Sequence, residues 1–236
     1  MSIKIEEHLA KKGTACRSGE YRNSFYGITI HETANTKKGA GALNHAKYLQ
    51  GSGANKAASW HYCVDDSIVT RSIPEKEVAW HSGNSKGNYN TIAIEICVNS
   101  DGDFKKAVHN AAELAADILK RNNITKTNYE EYLFQHKHWN GKDCPTNLRK
   151  GKPLSWAYFV ESNGKHLKPI QNANKGFSVG DSVLLNGYLY VDSYASKAGK
   201  IYYNKKCKIT KITDLTRPAP YLIDNGLGWV REKDIK

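Results

Sequence analysis

The chain has 236 residues, 39% hydrophobic and 25% charged, an ordinary globular composition with room for one large domain or two small ones. That excludes a disordered tail, a collagen or a coiled coil, and no apolar run approaches the ~18–20 residues that cross a bilayer. Thirty-five Lys+Arg against 23 Asp+Glu leave a net charge of +12, which calls for a polyanionic partner such as nucleic acid, acidic lipid or an anionic cell wall.

Residues 26–31 (YGITIH) alternate and are rich in β-formers, so they read as a strand. Residues 41–50 read as a short helix ending near Gly51, and WHYCVDD, 60–66, as a second strand. TIAIEICV, 91–98, is almost continuously apolar, as a buried central strand must be. Phe104, Ala107, Val108, Ala111, Leu114, Ala115, Ile118 and Leu119 form one stripe of an amphipathic helix over 104–120. EEYLFQH, 130–136, leads to another core segment. Strands alternating with helices indicate an α/β domain over 1–161, a central mixed sheet flanked by helices. Residues 162–175 are polar, with Gly, Pro and Asn, and read as a linker. Residues 176–236 show no helical stripe. Asn186-Gly187 between apolar runs signals a two-residue hairpin, and the short strands IYY, KITKIT, YLI and GWV complete a small all-β barrel.

The basic residues occur only as pairs, such as Lys37-Lys38, Lys105-Lys106 and Lys205-Lys206. No basic arm or RNA-binding aromatic signature appears, so a specific nucleic-acid role is not expected. The start, MSIKIEEHLAKK, lacks an apolar signal segment, so the expectation is synthesis in the cytosol and release by another route. The five cysteines are odd in number and widely spaced, which argues against a disulfide framework. Cys63 and Cys97 lie inside apolar runs and read as small buried hydrophobes.

The chemistry concentrates in Gln135-His136-Lys137-His138-Trp139-Asn140-Gly141-Lys142-Asp143-Cys144-Pro145. His136 and Cys144 are zinc-ligand types at short spacing, and His31, ending a strand before polar Glu32 and Thr33, is the best third ligand. Three protein ligands leave a fourth position open, the catalytic rather than the structural arrangement. Glu95 is a carboxylate in an apolar strand, costly there unless it is paired or functional. It suits a general base. Lys142, two residues before Cys144, offers a cation for an oxyanion. His8, His45, His109 and His166 carry no signal beyond solvated surface.

In order along the chain come ITIHETAN, ASWHYCVDD, VAWHSG, NTIAIEICVN and HKHWNGKDCP. This series resembles the zinc N-acetylmuramoyl-L-alanine amidases of the type-2 amidase and peptidoglycan-recognition superfamily, over roughly residues 20–150. The resemblance implies Zn²⁺ held by His31, His136 and Cys144, with Glu95 and Lys142 catalytic. It also implies a substrate groove touched by His81 and by Trp60, which stands where some members carry a tyrosine. His61 and His138 would support the site. The C-terminal segment resembles SH3-like wall-binding domains of endolysins from phages of Gram-positive, especially clostridial, hosts, with Tyr188, Tyr190, Tyr221 and Trp229 as candidate stacking faces. The implied protein is a monomeric endolysin that hydrolyses the muramoyl–alanine amide of peptidoglycan in an anionic wall. It reaches the wall through a membrane pore and does not insert in the membrane. A bacterial autolysin of the same chemistry and a non-catalytic peptidoglycan binder are the alternatives.

Overall fold

The computed structural model describes residues 4–125, 128–167, 177–215 and 217–236. The chain divides into two compact units, Met1–Ile170 and Gln171–Lys236.

The first unit is built on β1 (Ile5–Glu7), β2 (Gly27–Glu32), β3 (Tyr62–Val64), β4 (Val69–Arg71), β5 (Thr91–Ile96) and β6 (Leu133–Gln135). They form one mixed sheet in the order β1-β4-β3-β5-β2-β6. Strands β3, β5, β2 and β6 run parallel, while β4 is antiparallel to β3. Helices α1 (Ala42–Gln50), α2 (Ser85–Asn90), α3 (Phe104–Arg121), α4 (Lys137–Asn140), α5 (Thr146–Lys150) and α6 (Trp156–His166) connect and cover them.

The two-residue period of the strands sorts side chains onto opposite faces. Ile28, Ile30, Tyr62, Val64, Ile92, Ile94 and Ile96 meet the buried stripe of α3 and Phe159 of α6 in one core. The alternate residues Thr29, His31, Cys63, Ala93, Glu95 and Cys97 face the other way. Both faces are covered, which is why β5 reads as an unbroken apolar run. Helix α3 begins where the Asp103 side chain accepts from Lys106 N and ends with Lys120 and Arg121, charges that complement its dipole.

The expected linker over 162–175 begins too early, because α6 continues to His166. Its polar residues do core work: Asn163 Nδ2 donates to the Ala112 carbonyl across to α3 at 3.0 Å. Gly164 leaves space for the Tyr129 ring, which any Cβ there would strike. The part of that linker over 168–175 lies outside the described residues.

The second unit is a closed antiparallel barrel of β7 (Ser182–Tyr190), β8 (Ala198–Ile212), β9 (Tyr221–Ile223) and β10 (Gly228–Val230), in the order β10-β7-β8-β9. Val183, Leu185, Leu189, Ile209, Tyr221, Ile223 and Val230 fill it. Asn186-Gly187 is not a hairpin turn; β7 runs through it with a register shift between Leu185 and Gly187. Asn186 Oδ1 accepts from Asn204 N on β8 at 3.0 Å, and a Cβ at Gly187 would lie 2.6 Å from Asp234 Cγ. The pair therefore serves as a bulge that lets the chain pass close to its own C-terminal segment. IYY and KITKIT are parts of the single long β8.

Candidate metal centre and the groove beside it

The parallel register places the chemistry in one row. His31 pairs with Glu95, and Glu95 with Cys63, across β2, β5 and β3. His136 extends the row beyond β6, where its N–H donates to the Ile30 carbonyl at 3.3 Å. These are the C-terminal ends of parallel strands, where open α/β sheets hold their sites.

Cys144 reaches the row because the chain doubles back. Helix α4 is a single turn ended by Gly141 in the left-handed region, φ 82°. Lys137 N then donates to the Cys144 carbonyl at 3.1 Å, which sets Cys144 beside His136. Glu32 fixes the returning strand of this loop. Its carboxylate accepts from Asn147 N at 2.9 Å and Leu148 N at 3.0 Å, and its own N–H points to Cys144 Sγ at 3.4 Å.

His31, His136 and Cys144 are all buried, with one ligand atom of each within 4.8 Å of the others. His31 Nδ1 lies 3.0 Å from His136 Nδ1 and 4.0 Å from Cys144 Sγ. The other nitrogen of His31, Nε2, is 3.0 Å from His81 Nδ1, so a neighbouring ring orients His31 from behind. His81 N in turn donates to Asn88 Oδ1 at 3.0 Å. Burial, then the neighbouring imidazoles and Lys142, hold the His31 pKa well below its ordinary value; burial and Lys142 lower that of His136. Both rings thus keep the neutral form that binds metal. Burial pushes the Cys144 thiol up to about 12, so it ionises there only against a cation. Two neutral imidazoles and one thiol that needs a cation fit zinc by donor type and count.

Glu95 is the next residue in the row. Burial raises its pKa to about 7, against the lowering pull of His45 and Lys142, and Oε2 is buried with no hydrogen-bond partner. It opens on a pocket of about 310 Å³ lined by Thr33, Asn35, Asn44, His45, Tyr48 and Trp60, with Ala40. Lys142 is exposed, yet its charge reaches His31, Glu95 and Cys144.

Residues 21–147 match the family described as N-acetylmuramoyl-L-alanine amidase. The chain belongs to this family. It is 46% identical over 124 residues to the N-acetylmuramoyl-L-alanine amidase CwlH of Bacillus subtilis, covering 51% of this chain and 47% of that protein. With the amidase CwlA of the same organism it shares 32% over 211 residues, 84% of this chain and 72% of the relative. The solved structure of the catalytic domain of XlyA superposes with a TM-score of 0.61 at 36% identity, over 68% of this chain and 99% of that one. The chain spans about half the length of the first of these relatives.

In this amidase domain Trp60 lines the pocket, while His81 stands behind His31 instead. His61 is fully buried and spends both nitrogens on backbone, accepting from Ala93 N at 2.9 Å and facing the Glu77 carbonyl at 3.0 Å. His138 is exposed on α4. His45, read as solvated surface, is instead half-buried in the pocket wall. Glu32 escaped the sequence reading, and only its place directly after His31 could have signalled it.

Among the barrel aromatics, Tyr221 is 1% and Tyr190 6% exposed, so neither offers a free stacking face. Tyr221 points into the barrel core, and the Arg231 guanidinium covers the Tyr190 ring at 4.6 Å. Tyr188 is exposed and Trp229 half-buried. No helix among the described residues is long and apolar enough to cross a membrane.

Proposed function

We propose that the chain is a zinc-dependent peptidoglycan hydrolase that cleaves the amide between the lactyl group of N-acetylmuramic acid and L-alanine. The observation that carries this is the convergence of His31, His136 and Cys144 one strand away from Glu95 at the head of a groove. His31, His136 and Cys144 are the residues that would hold zinc, which supplies Lewis acidity toward a carbonyl oxygen and toward water.

The remaining work falls to this chain's own side chains. Glu95, its pKa lifted to about 7, is poised to take a proton from the attacking water near neutral pH. The water oxygen bonds to the amide carbon and the C–N bond breaks. Glu95 returns the proton to the departing alanine nitrogen, leaving a free lactyl carboxylate and a free stem-peptide amine. Lys142 brings positive charge to the oxyanion that develops on the carbonyl. His81 holds His31 in register, and Trp60 packs the groove wall.

The net charge of +12 favours accumulation on anionic wall polymers, an attraction that salt screens. The barrel would hold the wall and raise the local concentration of the tethered catalytic unit. On this reading the chain serves as an endolysin. Lysis of cells co-expressing it with a pore-forming protein, and not of cells expressing it alone, supports that role over wall turnover by a self-exported enzyme. Glu95→Gln tests the mechanism: retained zinc with activity reduced at least ~100-fold is expected, and near-full activity rejects Glu95 as the base.

A further inference from the structure

A second cluster of soft donors lies on the same face of the sheet. Cys63 on β3 and Cys97 just beyond β5 bring their Sγ atoms to 3.4 Å, and both thiols are free. They are 0% and 2% exposed. His45 of α1 joins them, with one ligand atom from each of the three within 4.8 Å of the others. The His45 Nδ1 faces the Gly41 carbonyl at 3.0 Å. As the donor in that contact, Nδ1 leaves the Nε2 lone pair available, the backbone arrangement that orients ligating imidazoles.

Packing alone accounts for part of this arrangement. Cys63 and Cys97 fill space beside Ala42, Trp60 and Ile68, as small hydrophobes do. It does not account for an imidazole turned onto both sulfurs. The amidase mechanism uses none of the three groups. Two cysteine sulfurs and an imidazole are a soft donor set that selects zinc-like cations over magnesium or calcium.

We propose that His45, Cys63 and Cys97 form a second metal site for a soft divalent cation of the zinc and cadmium type, distinct from His31, His136 and Cys144. The register sets the relation between the two. Glu95 stands between His31 and Cys63 in one row, so the centres flank Glu95 about two strand spacings, ~10 Å, apart. His45 lines the groove and gives a cation its way in. Binding displaces the protons that Cys63, Cys97 and His45 share and fixes the imidazole of the groove wall.

The test counts thiolates. The full-length chain, stripped of metal and kept reduced, is titrated with Cd²⁺ while the ultraviolet sulfur-to-cadmium charge-transfer band is followed. The first centre contributes one sulfur and the second two, so saturating intensities of wild type, C144S and C63A/C97A are expected in the ratio 3:2:1. A C63A/C97A band equal to wild type, with none in C144S, overturns the proposal. Should C63A/C97A fail to fold, C144S alone decides: two-thirds of the wild-type band, with a Cd²⁺ affinity weakened at least tenfold by adding H45A, supports the second site, and no band refutes it. Failure of the amidase centre looks different, with C144S equal to wild type and C63A/C97A silent.

Discussion

Glu32 is the residue whose removal best tests how the metal centre is built. Its carboxylate is 7% exposed and accepts from two backbone N–H groups, Asn147 at 2.9 Å and Leu148 at 3.0 Å. Hydrogen bonds to a charged acceptor contribute about 1.5–3 kcal/mol each. Burial opposes them, since it raises the Glu32 pKa against the lowering effect of those same bonds. Glu32→Ala, which also strands a buried donor at Leu148, should therefore cost about 2–4 kcal/mol of stability. The loop it releases carries Cys144, so zinc affinity should fall about 10–100-fold, the usual effect of losing support behind a metal ligand. Glu32→Gln keeps one neutral acceptor and should fall between. Urea unfolding of the zinc-free protein reads the first quantity, and competition with a chromophoric chelator the second. Glu32→Ala with stability within about 0.5 kcal/mol of wild type and unchanged zinc affinity would refute the clamp.

Three further outcomes follow from the same structure. Burial raises the folded-state pKa of Glu95 from its ordinary 4.5 to about 7, so the folded chain binds that proton more tightly than the unfolded one. The resulting stability is present below the ordinary value and lost as pH rises through about 7. Zinc-free Glu95→Gln should accordingly gain on wild type by up to about 3 kcal/mol between about pH 5 and 9, at ~1.4 kcal/mol per pH unit; parallel stability curves contradict this. Because the Cys144 thiol is pushed up to about 12 while His31 and His136 are held below their ordinary value, zinc binding to this centre, measured in the C63A/C97A protein, should release about one proton near neutral pH. Calorimetry in buffers of different ionisation enthalpy measures it, and a value near zero removes Cys144 from the ligand set. In the barrel, Tyr221→Ala should cost about 3–5 kcal/mol, as for other large buried rings. Tyr188→Ala, at a 44% exposed ring, should leave stability unchanged yet reduce pelleting with purified walls; wall binding that survives Tyr188→Ala excludes that face.

The elements with strong periodicity are legible in the sequence alone. The stripe of α3 and the apolar run of β5 each identify their element because burial repeats at the period of the backbone. Local signals failed where a distant partner decides. Asn186-Gly187 has the chemistry of a turn, but pairing of β7 with β8 and the approach of Asp234 make it a bulge. Ser162, Asn163 and Gly164 look like linker, yet the Ala112 carbonyl and the Tyr129 ring draw them into a helix. The same division holds at the site. His31, His136 and Cys144 stood out by residue type and spacing, and Glu95 by its anomaly within an apolar strand. The roles of His45 and Glu32 depend on groups from elsewhere in the fold: Cys63 and Cys97 on neighbouring strands, and backbone N–H groups of the Cys144 loop. Tyr190 and Tyr221 differ from Tyr188 only in which way the barrel strands turn them.

Wild type and Cys144→Ser, assayed together for zinc content and for the bond they cut in purified peptidoglycan, decide whether this centre is a zinc amidase. One zinc fewer per chain is expected in the mutant, with loss of its activity. Wild type should release new N-terminal alanine without new reducing sugar ends. Full zinc and activity in Cys144→Ser, or reducing ends released by wild type, would contradict it.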